Sequence, residues 1–274
     1  MKKHLSTILL VAVLVVGVGL MAYPSVSDWW NSFHQTRAIA SYSDAVAVMD
    51  NTDYEKLWND AGVYNQTLAE KANPFFITEE DQRLYEECLN ISGTGVMGYI
   101  DIPEIKCTLP IYHGTSDAVL QVAVGHVEGS SLPVGGEGSH CVLSGHRGLP
   151  SARLFTDLDQ LVAGDLFKLQ ILDETLTYEV DQIHIVLPNE LDNLGIEEGK
   201  DYCTLVTCTP YGVNSHRLLV RGHRVANEFS LSTAHVAADA IRIDPILVAP
   251  AASMPMLLLL FVWLMADGGR KKKK

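Results

Sequence analysis

The run Thr204-Leu205-Val206-Thr207-Cys208 is apolar and β-branched, and it stops on a thiol just before Thr209-Pro210-Tyr211-Gly212, a turn signal. A cysteine at such a junction is open to a substrate, whereas one in mid-strand is closed off. Successive side chains of a strand point to opposite faces, so Cys208 shares a face with Val206 and Thr204 while Cys203 and Thr207 point the other way. Cys203 therefore reads as a core thiol and not as a partner of Cys208. Beyond the turn comes Ser215-His216-Arg217-Leu218-Leu219-Val220-Arg221-Gly222, a second strand, and if the two strands are adjacent a residue early in the second lies opposite the end of the first. Arg217 is that residue, and its guanidinium is a permanently charged fork of donors. Arg221, four residues on, shares its face and is the rival for the same role. A third apolar run, Cys141-Val142-Leu143, opens into Ser144-Gly145-His146-Arg147-Gly148, again with a polar residue where strand meets loop. Cysteine catalysis needs a thiol, a proton carrier and a donor where the oxyanion develops. Cys208, His146 and Arg217 supply all three, although the chain's ten histidines leave competitors for the second role.

Outward from these runs, the chain from Gly93 on reads as short strands punctuated by Gly and Pro: 96–102, 107–112, 140–144, 166–172, 176–187, 202–207 and 218–222. Seven or eight strands at this spacing predict a closed barrel or a sandwich. Asp173-Glu174-Thr175 reads as a hairpin turn, and short helices are expected at Ser116 to Val122 and Phe155 to Leu161. Before the strands, Trp29 to Lys71 mixes acidic and apolar residues as one or two helices would. Asn73-Pro74-Phe75-Phe76 interrupts them, because proline removes a donor and biases Asn73 toward an extended backbone. A helix restarts at Thr78, an N-cap followed by Glu79, Glu80 and Asp81 in the first turn. No repeat, phosphate-binding glycine loop or paired-cysteine metal spacing is present, so no cofactor and no metal is expected.

The two ends decide the compartment. Leu5 to Ala22 is 18 residues without a charge, about 27 Å of helix, which nearly matches the hydrocarbon core of a bilayer. Lys2 and Lys3 would equally serve a cleaved signal peptide, but Leu20-Met21-Ala22 is a poor cleavage site, which favours an uncleaved anchor. Ile246 to Ala266 is a second uncharged run, of 21 residues, followed by Arg270 and four lysines. With basic residues on the terminal side of both runs, the positive-inside rule puts both termini in the cytoplasm and the body outside. The whole chain has 33 acidic and 20 basic residues, a net charge of −13. Removing the seven basic residues and one acidic residue of the two ends leaves 32 acidic against 13 basic, or −19. A body that acidic repels a phosphate backbone, so nucleic-acid partners are excluded. Five cysteines outside the cell leave at least one thiol unpaired.

The residues Ser144-Gly145-His146-Arg147-Gly148, the run ending in Thr207-Cys208 and Arg217 nine residues later resemble the sortase family, with its T-L-x-T-C signature. Leu109-Pro110-Ile111-Tyr112-His113-Gly114, Gly129-Ser130-Ser131-Leu132-Pro133-Val134-Gly135-Gly136 and Thr207-Cys208-Thr209-Pro210-Tyr211-Gly212 look more narrowly like class C, the pilus-assembling sortases of Gram-positive bacteria. The likeness covers about Asn73 to Val225.

The resemblance implies a mainly β fold, an eight-stranded sortase β-barrel with short helices. It implies a transpeptidation in which Cys208 attacks the Thr–Gly bond of an L-P-x-T-G-like signal on a pilin or surface protein. His146 is then the general acid and base, Arg217 stabilises the oxyanion or positions the signal, and a lysine amine of another pilin resolves the thioester. The family also carries a lid, typically Asp-Pro-aromatic, whose aromatic covers the cysteine and whose Asp meets the arginine. Asn73-Pro74-Phe75 matches it, with Asn for Asp leaving only neutral hydrogen bonding to Arg217.

The expected layout is an anchor over 1–22 and an extracytoplasmic helical region over 23–92 with the lid near 73–76. The barrel follows over 93–226, then a helical linker over 227–245, a transmembrane helix over 246–266 and a basic cytoplasmic tail over 267–274. A housekeeping sortase that anchors proteins to the cell wall and a hydrolytic cysteine peptidase are the rival readings in mechanism. A catalytically silent, membrane-anchored scaffold is the rival from another class.

Overall fold

The computed structural model describes residues 2–91 and 93–227. The expected linker, second transmembrane helix and basic tail lie outside the described residues. The chain divides into two units, one holding residues 1–26 and 229–274 and the other residues 27–228. One long helix, α1 (Lys2–Ala47), passes from the first unit into the second with Pro24 inside it, so no break in secondary structure falls at Ala22. It is the one described helix long and apolar enough to cross a membrane.

In the second unit α2 (Asn51–Ala69) starts at Asp50, whose carboxylate accepts from the Asp53 amide. The helix α3 (Glu79–Glu87) starts at Thr78 with a reciprocal capping box, the Asp81 amide donating to Thr78 and the Thr78 amide to Asp81. Between α2 and α3 lies the Asn73-Pro74-Phe75 segment, without regular structure beyond a turn closed by Phe76 N to Asn73 O at 3.2 Å.

Eight strands close into a barrel: β1 (Val96–Ile102), β2 (Cys107–His113), β3 (Val124–His126), β4 (Ser139–Ser144), β5 (Leu166–Ile171), β6 (Glu174–Val186), β7 (Asp201–Thr209) and β8 (His216–Val225). Their order around it is β1-β2-β3-β4-β7-β8-β6-β5, and β5 pairs back onto β1. Ser116 caps a one-turn helix, α4 (Asp117–Leu120). Two expectations are corrected. The helix expected over Phe155 to Leu161 is a single 3₁₀ turn, Leu158–Gln160. The strand β3 was absent from the sequence reading, because three residues are too few to show a period of two. It is nonetheless required: it pairs parallel with β2 and antiparallel with β4, and so closes the wall.

Alternation along the central strands builds two apolar layers. Cys141 and Leu143 of β4, Cys203 and Leu205 of β7, and Leu218 and Val220 of β8 point into the barrel and join its main core. Val142 and Leu219, on the opposite faces, form a second cluster outside the wall with Val186 and Leu194. The active-site candidates stand on that outer layer.

Candidate active site

The register of three strands assembles the outer face. Strands β7 and β8 are antiparallel, with Cys208 opposite Arg217, Val206 opposite Leu219 and Thr204 opposite Arg221. Strands β4 and β7 are parallel, with Ser144 beside Val206. The ladder runs one residue past the end of β4, where Gly145 N donates to Val206 O at 3.0 Å. One more step in the same register brings His146 to the level of Cys208. Thr207, pointing inward, fixes that step: its hydroxyl donates to Gly145 O at 2.7 Å. Gly145 must lack a side chain, since a Cβ there would meet the Phe155 ring at 2.6 Å. Phe155 N in turn donates to His146 O at 3.1 Å and closes the loop that carries the histidine.

Cys208, His146 and Arg217 are all half-buried. Among the described residues the side chains of Cys208 and His146 make no hydrogen bond, so both remain available to a substrate. Arg217 is held in place through Nη1, which donates to Asn214 O at 3.3 Å and His216 O at 3.1 Å. Three of the other thiols are in surroundings hostile to a thiolate, and the fourth, Cys141, is drawn below the ordinary thiol value against its burial by Cys203 and His126 but is enclosed in the barrel and closed to a substrate. Burial pushes Cys88 up to about 11 and Cys107 to about 12. Cys203, inside the barrel, is pushed well above the ordinary thiol value by burial and then by its neighbour Cys141.

Arg221, the rival arginine, is engaged elsewhere. Its Nε and Nη2 hold the two carboxylate oxygens of Asp181 at 3.0 and 2.9 Å, and its guanidinium lies 4.1 Å from the centre of the Tyr202 ring. Removed from Cys208 by four positions of β8, it belongs to a polar end of the same outer face. There, buried His140 meets Thr204 Oγ1 at 2.7 Å and Gly195 O at 2.8 Å. Burial holds His140 below the ordinary imidazole value, so the neutral ring donates Nδ1–H to Gly195 and accepts from Thr204. Gly195 follows directly on Leu194, so His140 ties the β6–β7 loop, and with it part of the outer apolar cluster, to the barrel wall.

The segment expected to be a lid lies on this face. Phe75 packs against the outer cluster alongside Val127 and Val206. The backbone of Pro74 and Phe75 passes over Gly129, where an added Cβ would stand 2.7 Å from Pro74 O and 2.9 Å from Phe75 Cα. Gly129 also has φ +84°, a conformation costly for any other residue. The expected neutral bond between Asn73 and Arg217 is not formed. Asn73 is exposed and its side chain has no hydrogen-bond partner among the described residues, while Arg217 donates to the carbonyls of Asn214 and His216. The segment is seated by an apolar ring and a bare glycine, not by its polar residue.

Sequence reasoning passed over three residues that shape the site. His140 and Gly129 carried no signal of their role beyond the composition of their runs. Arg147 stood in plain view beside His146. Its side chain is only 10% exposed, paired with Asp159 and lying 6.0 Å from the centre of the Tyr211 ring, with Nη1 3.5 Å from Thr209 Oγ1. It joins the histidine loop to the turn that follows Cys208.

Comparison with known proteins bears on this arrangement. A family model described as "Sortase domain" matches residues 100–225. Sortase A of Bacillus anthracis is 27% identical over 228 residues, 83% of this chain and 98% of that protein. Among solved structures, sortase C1 of Streptococcus agalactiae is 56% identical, with a TM-score of 0.69 over 70% of this chain and all (100%) of that one. The sortase C of Streptococcus pneumoniae, a structure described as informative about pilin substrate specificity, is 42% identical, with a TM-score of 0.62 over 69% of this chain and 97% of that one. The sortase C of Clostridium perfringens, solved with a C-terminal cell wall sorting motif, is 44% identical, with a TM-score of 0.62 over 70% of this chain and 99% of that one.

Proposed function

Because this chain belongs to the sortase family, whose members are cysteine transpeptidases, we propose that it polymerises pilins. It cleaves an L-P-x-T-G-like signal between Thr and Gly and joins the Thr carbonyl to a lysine amine of the next subunit. The observation that carries the reading is the cross-strand pairing of Cys208 with Arg217 beside an apolar outer face on which Phe75 sits. The leucine and proline of an extended signal would take the apolar face once Phe75 leaves it.

In the first half-reaction Cys208 Sγ attacks the Thr carbonyl carbon, and the carbonyl electrons move onto oxygen. Arg217, directly across the ladder from Cys208, directs N–H donors at that oxyanion as its charge develops. The C–N bond then breaks as His146 gives its proton to the leaving Gly amine, which leaves a thioester on Cys208. In the second half-reaction the lysine amine of the acceptor pilin attacks the thioester, His146 takes the amine proton, and the C–S bond breaks with its electron pair returning to Cys208 Sγ as the isopeptide bond forms.

The N-terminal apolar helix, and the uncharged run Ile246 to Ala266, hold the catalytic unit outside the membrane with both termini inside. Substrates that are themselves membrane-held then meet the enzyme in two dimensions.

The deciding experiment mixes the full chain with a pilin that bears its signal and with variants of that pilin in which single lysines are replaced. A ladder of covalent polymers that needs Cys208 and one acceptor lysine is expected. Release of the signal by water alone, with no polymer under any acceptor condition, would replace pilin joining by a hydrolytic role. Transfer only to a short wall-type amine would replace it by surface-protein anchoring.

A further inference from the structure

Between Asp28 and Tyr42 the helix α1 is fastened to the rest of its unit along one face. Asp28 accepts from Arg153 N at 2.8 Å, Asn31 donates to Ser151 O at 2.8 Å, and Gln35 donates to Val122 O at 2.7 Å. Further along, buried Tyr42 donates to Met97 O at 2.8 Å and accepts from Leu172 N at 2.7 Å. At about 100° per residue, positions 28, 31, 35 and 42 fall on one side of the helix. The opposite side carries Trp29, Trp30 and Phe33, which are 58%, 58% and 55% exposed. Three large aromatic rings in a row on a solvent-facing helix call for a partner.

The position of the stripe identifies the partner. Leu5 to Ser27 is 23 residues without a charge, and the helix contains a window with a mean hydropathy of 2.0. The aromatic residues lie two to six residues past Ser27, or about 3–9 Å of helix rise. A bilayer's interfacial layer is about 5–7 Å thick on each side, and tryptophan is the residue most at home there, apolar in its body and with one N–H for the headgroups.

We propose that Trp29, Trp30 and Phe33 are a docking face for the lipid headgroup layer, which orients the catalytic unit on the membrane surface. The inference rests on the reading of α1 as a membrane span. The restraint reaches the active site directly, because Ser151 and Arg153, bonded to Asn31 and Asp28, follow His146 by five and seven residues in one loop. The face that grips lipid and the face that grips the histidine loop are the two sides of the same two helical turns. A signal presented from the membrane is therefore met by a catalytic loop held at a fixed height, a benefit a soluble peptide cannot share.

The test uses the full chain with Trp58→Phe and Trp263→Phe, which leaves Trp29 and Trp30 as the only tryptophans. It is reconstituted in phosphatidylcholine–phosphatidylglycerol vesicles that carry bromine either high or deep on the acyl chains. Strong quenching by shallow bromine, weaker quenching by deep bromine and protection from aqueous acrylamide are expected. Free quenching by acrylamide without lipid quenching would overturn the proposal. Protection from both quenchers would overturn it too, in favour of a protein partner. A chain that fails to float with the vesicles would refute the membrane span itself, a separate outcome. In the triple variant Trp29→Ser, Trp30→Ser, Phe33→Ser, turnover of a soluble signal peptide should stay within twofold, while turnover of the same signal anchored in the vesicle falls at least fivefold. An equal fall for both substrates would mean that the aromatics serve folding and not docking.

Discussion

Replacing Phe75 by alanine tests the lid at the point where it is held. The ring is half-buried on the outer apolar cluster, and the Asn73 side chain adds no hydrogen bond. Full burial of a phenylalanine is worth about 1.5–3 kcal/mol, so a half-buried ring holds the segment down by about 1–1.5 kcal/mol. Since about 1.4 kcal/mol is a factor of ten, Phe75→Ala should raise the open population about five- to tenfold. A bulky maleimide, which reaches Cys208 only past the displaced segment, should then alkylate it faster by that factor, while a small reagent such as iodoacetamide gains far less. The assay is the initial rate of Cys208 modification in the full chain, read by mass spectrometry of the peptide that carries it. Gly129→Ala should accelerate the same reaction with the Phe75 ring retained, because its Cβ would stand 2.7 Å from Pro74 O and 2.9 Å from Phe75 Cα and so push the segment off the wall. Asn73→Ala should leave it within twofold of wild type. Equal bulky-reagent rates in wild type and Phe75→Ala would refute the lid, and the segment would then be a connector between α2 and α3.

Four further outcomes are expected. Cys208→Ala should abolish signal cleavage and polymer formation while Cys203→Ala keeps both, as measured by thioester trapping and gel ladders; the reverse pattern would unseat the nucleophile. Arg217→Lys should lower kcat for signal cleavage by about 10²–10³, since an ammonium cannot reproduce the guanidinium fork, and wild-type turnover would move the role elsewhere. Arg147→Ala should cost about 1–2 kcal/mol, a fall in Tm of about 2–8 °C by calorimetry, through lost packing against Tyr211 and lost pairing with Asp159. Burial holds His140 and His113 below the ordinary 6.5, so the folded chain binds fewer protons than the unfolded one, and their contribution is complete above about pH 6.5 and lost as pH falls below it. Tm should therefore drop between pH 7 and pH 5, and His140→Gln should shrink the drop; an unchanged drop would show that His140 plays no part in it.

What could be read from the amino acids followed the strength of each local signal. The long strands β6, β7 and β8 announced themselves, because nine or more residues give alternation room to repeat. The cross-strand partnership of Cys208 and Arg217 was legible for the same reason: a run, a turn and a second run leave little freedom in which residues face each other. Strand β3 was not legible, nor was the 3₁₀ turn at Leu158, since each is three residues whose shape is imposed by neighbours distant in sequence. Asn73 shows the complementary limit. Its type suggested a polar contact with Arg217, yet in the fold Arg217 satisfies itself on the carbonyls of Asn214 and His216, and the segment is held by apolar burial instead. Hydrogen-bond partners between distant segments depend on distances of a few tenths of an ångström, which no local pattern encodes.

The division of labour on β7 explains how Cys208, the proposed nucleophile, can stand on a strand that also holds the barrel together. Leu205 and Thr207 face inward, and Thr207 donates its hydroxyl to the carbonyl of Gly145, the residue next to His146. Val206 and Cys208 face outward, onto the apolar face and the paired arginine. Core packing therefore sets the positions of Cys208 and His146 through residues one step away in sequence and on the far side of the wall. The site can then be altered for different signals on its outer face without disturbing the inner one. A one-residue slip of β7 against β4 or β8 would exchange the two faces, burying the thiol and exposing the core. The apolar inner layer is thus what keeps Cys208 in register with both His146 and Arg217.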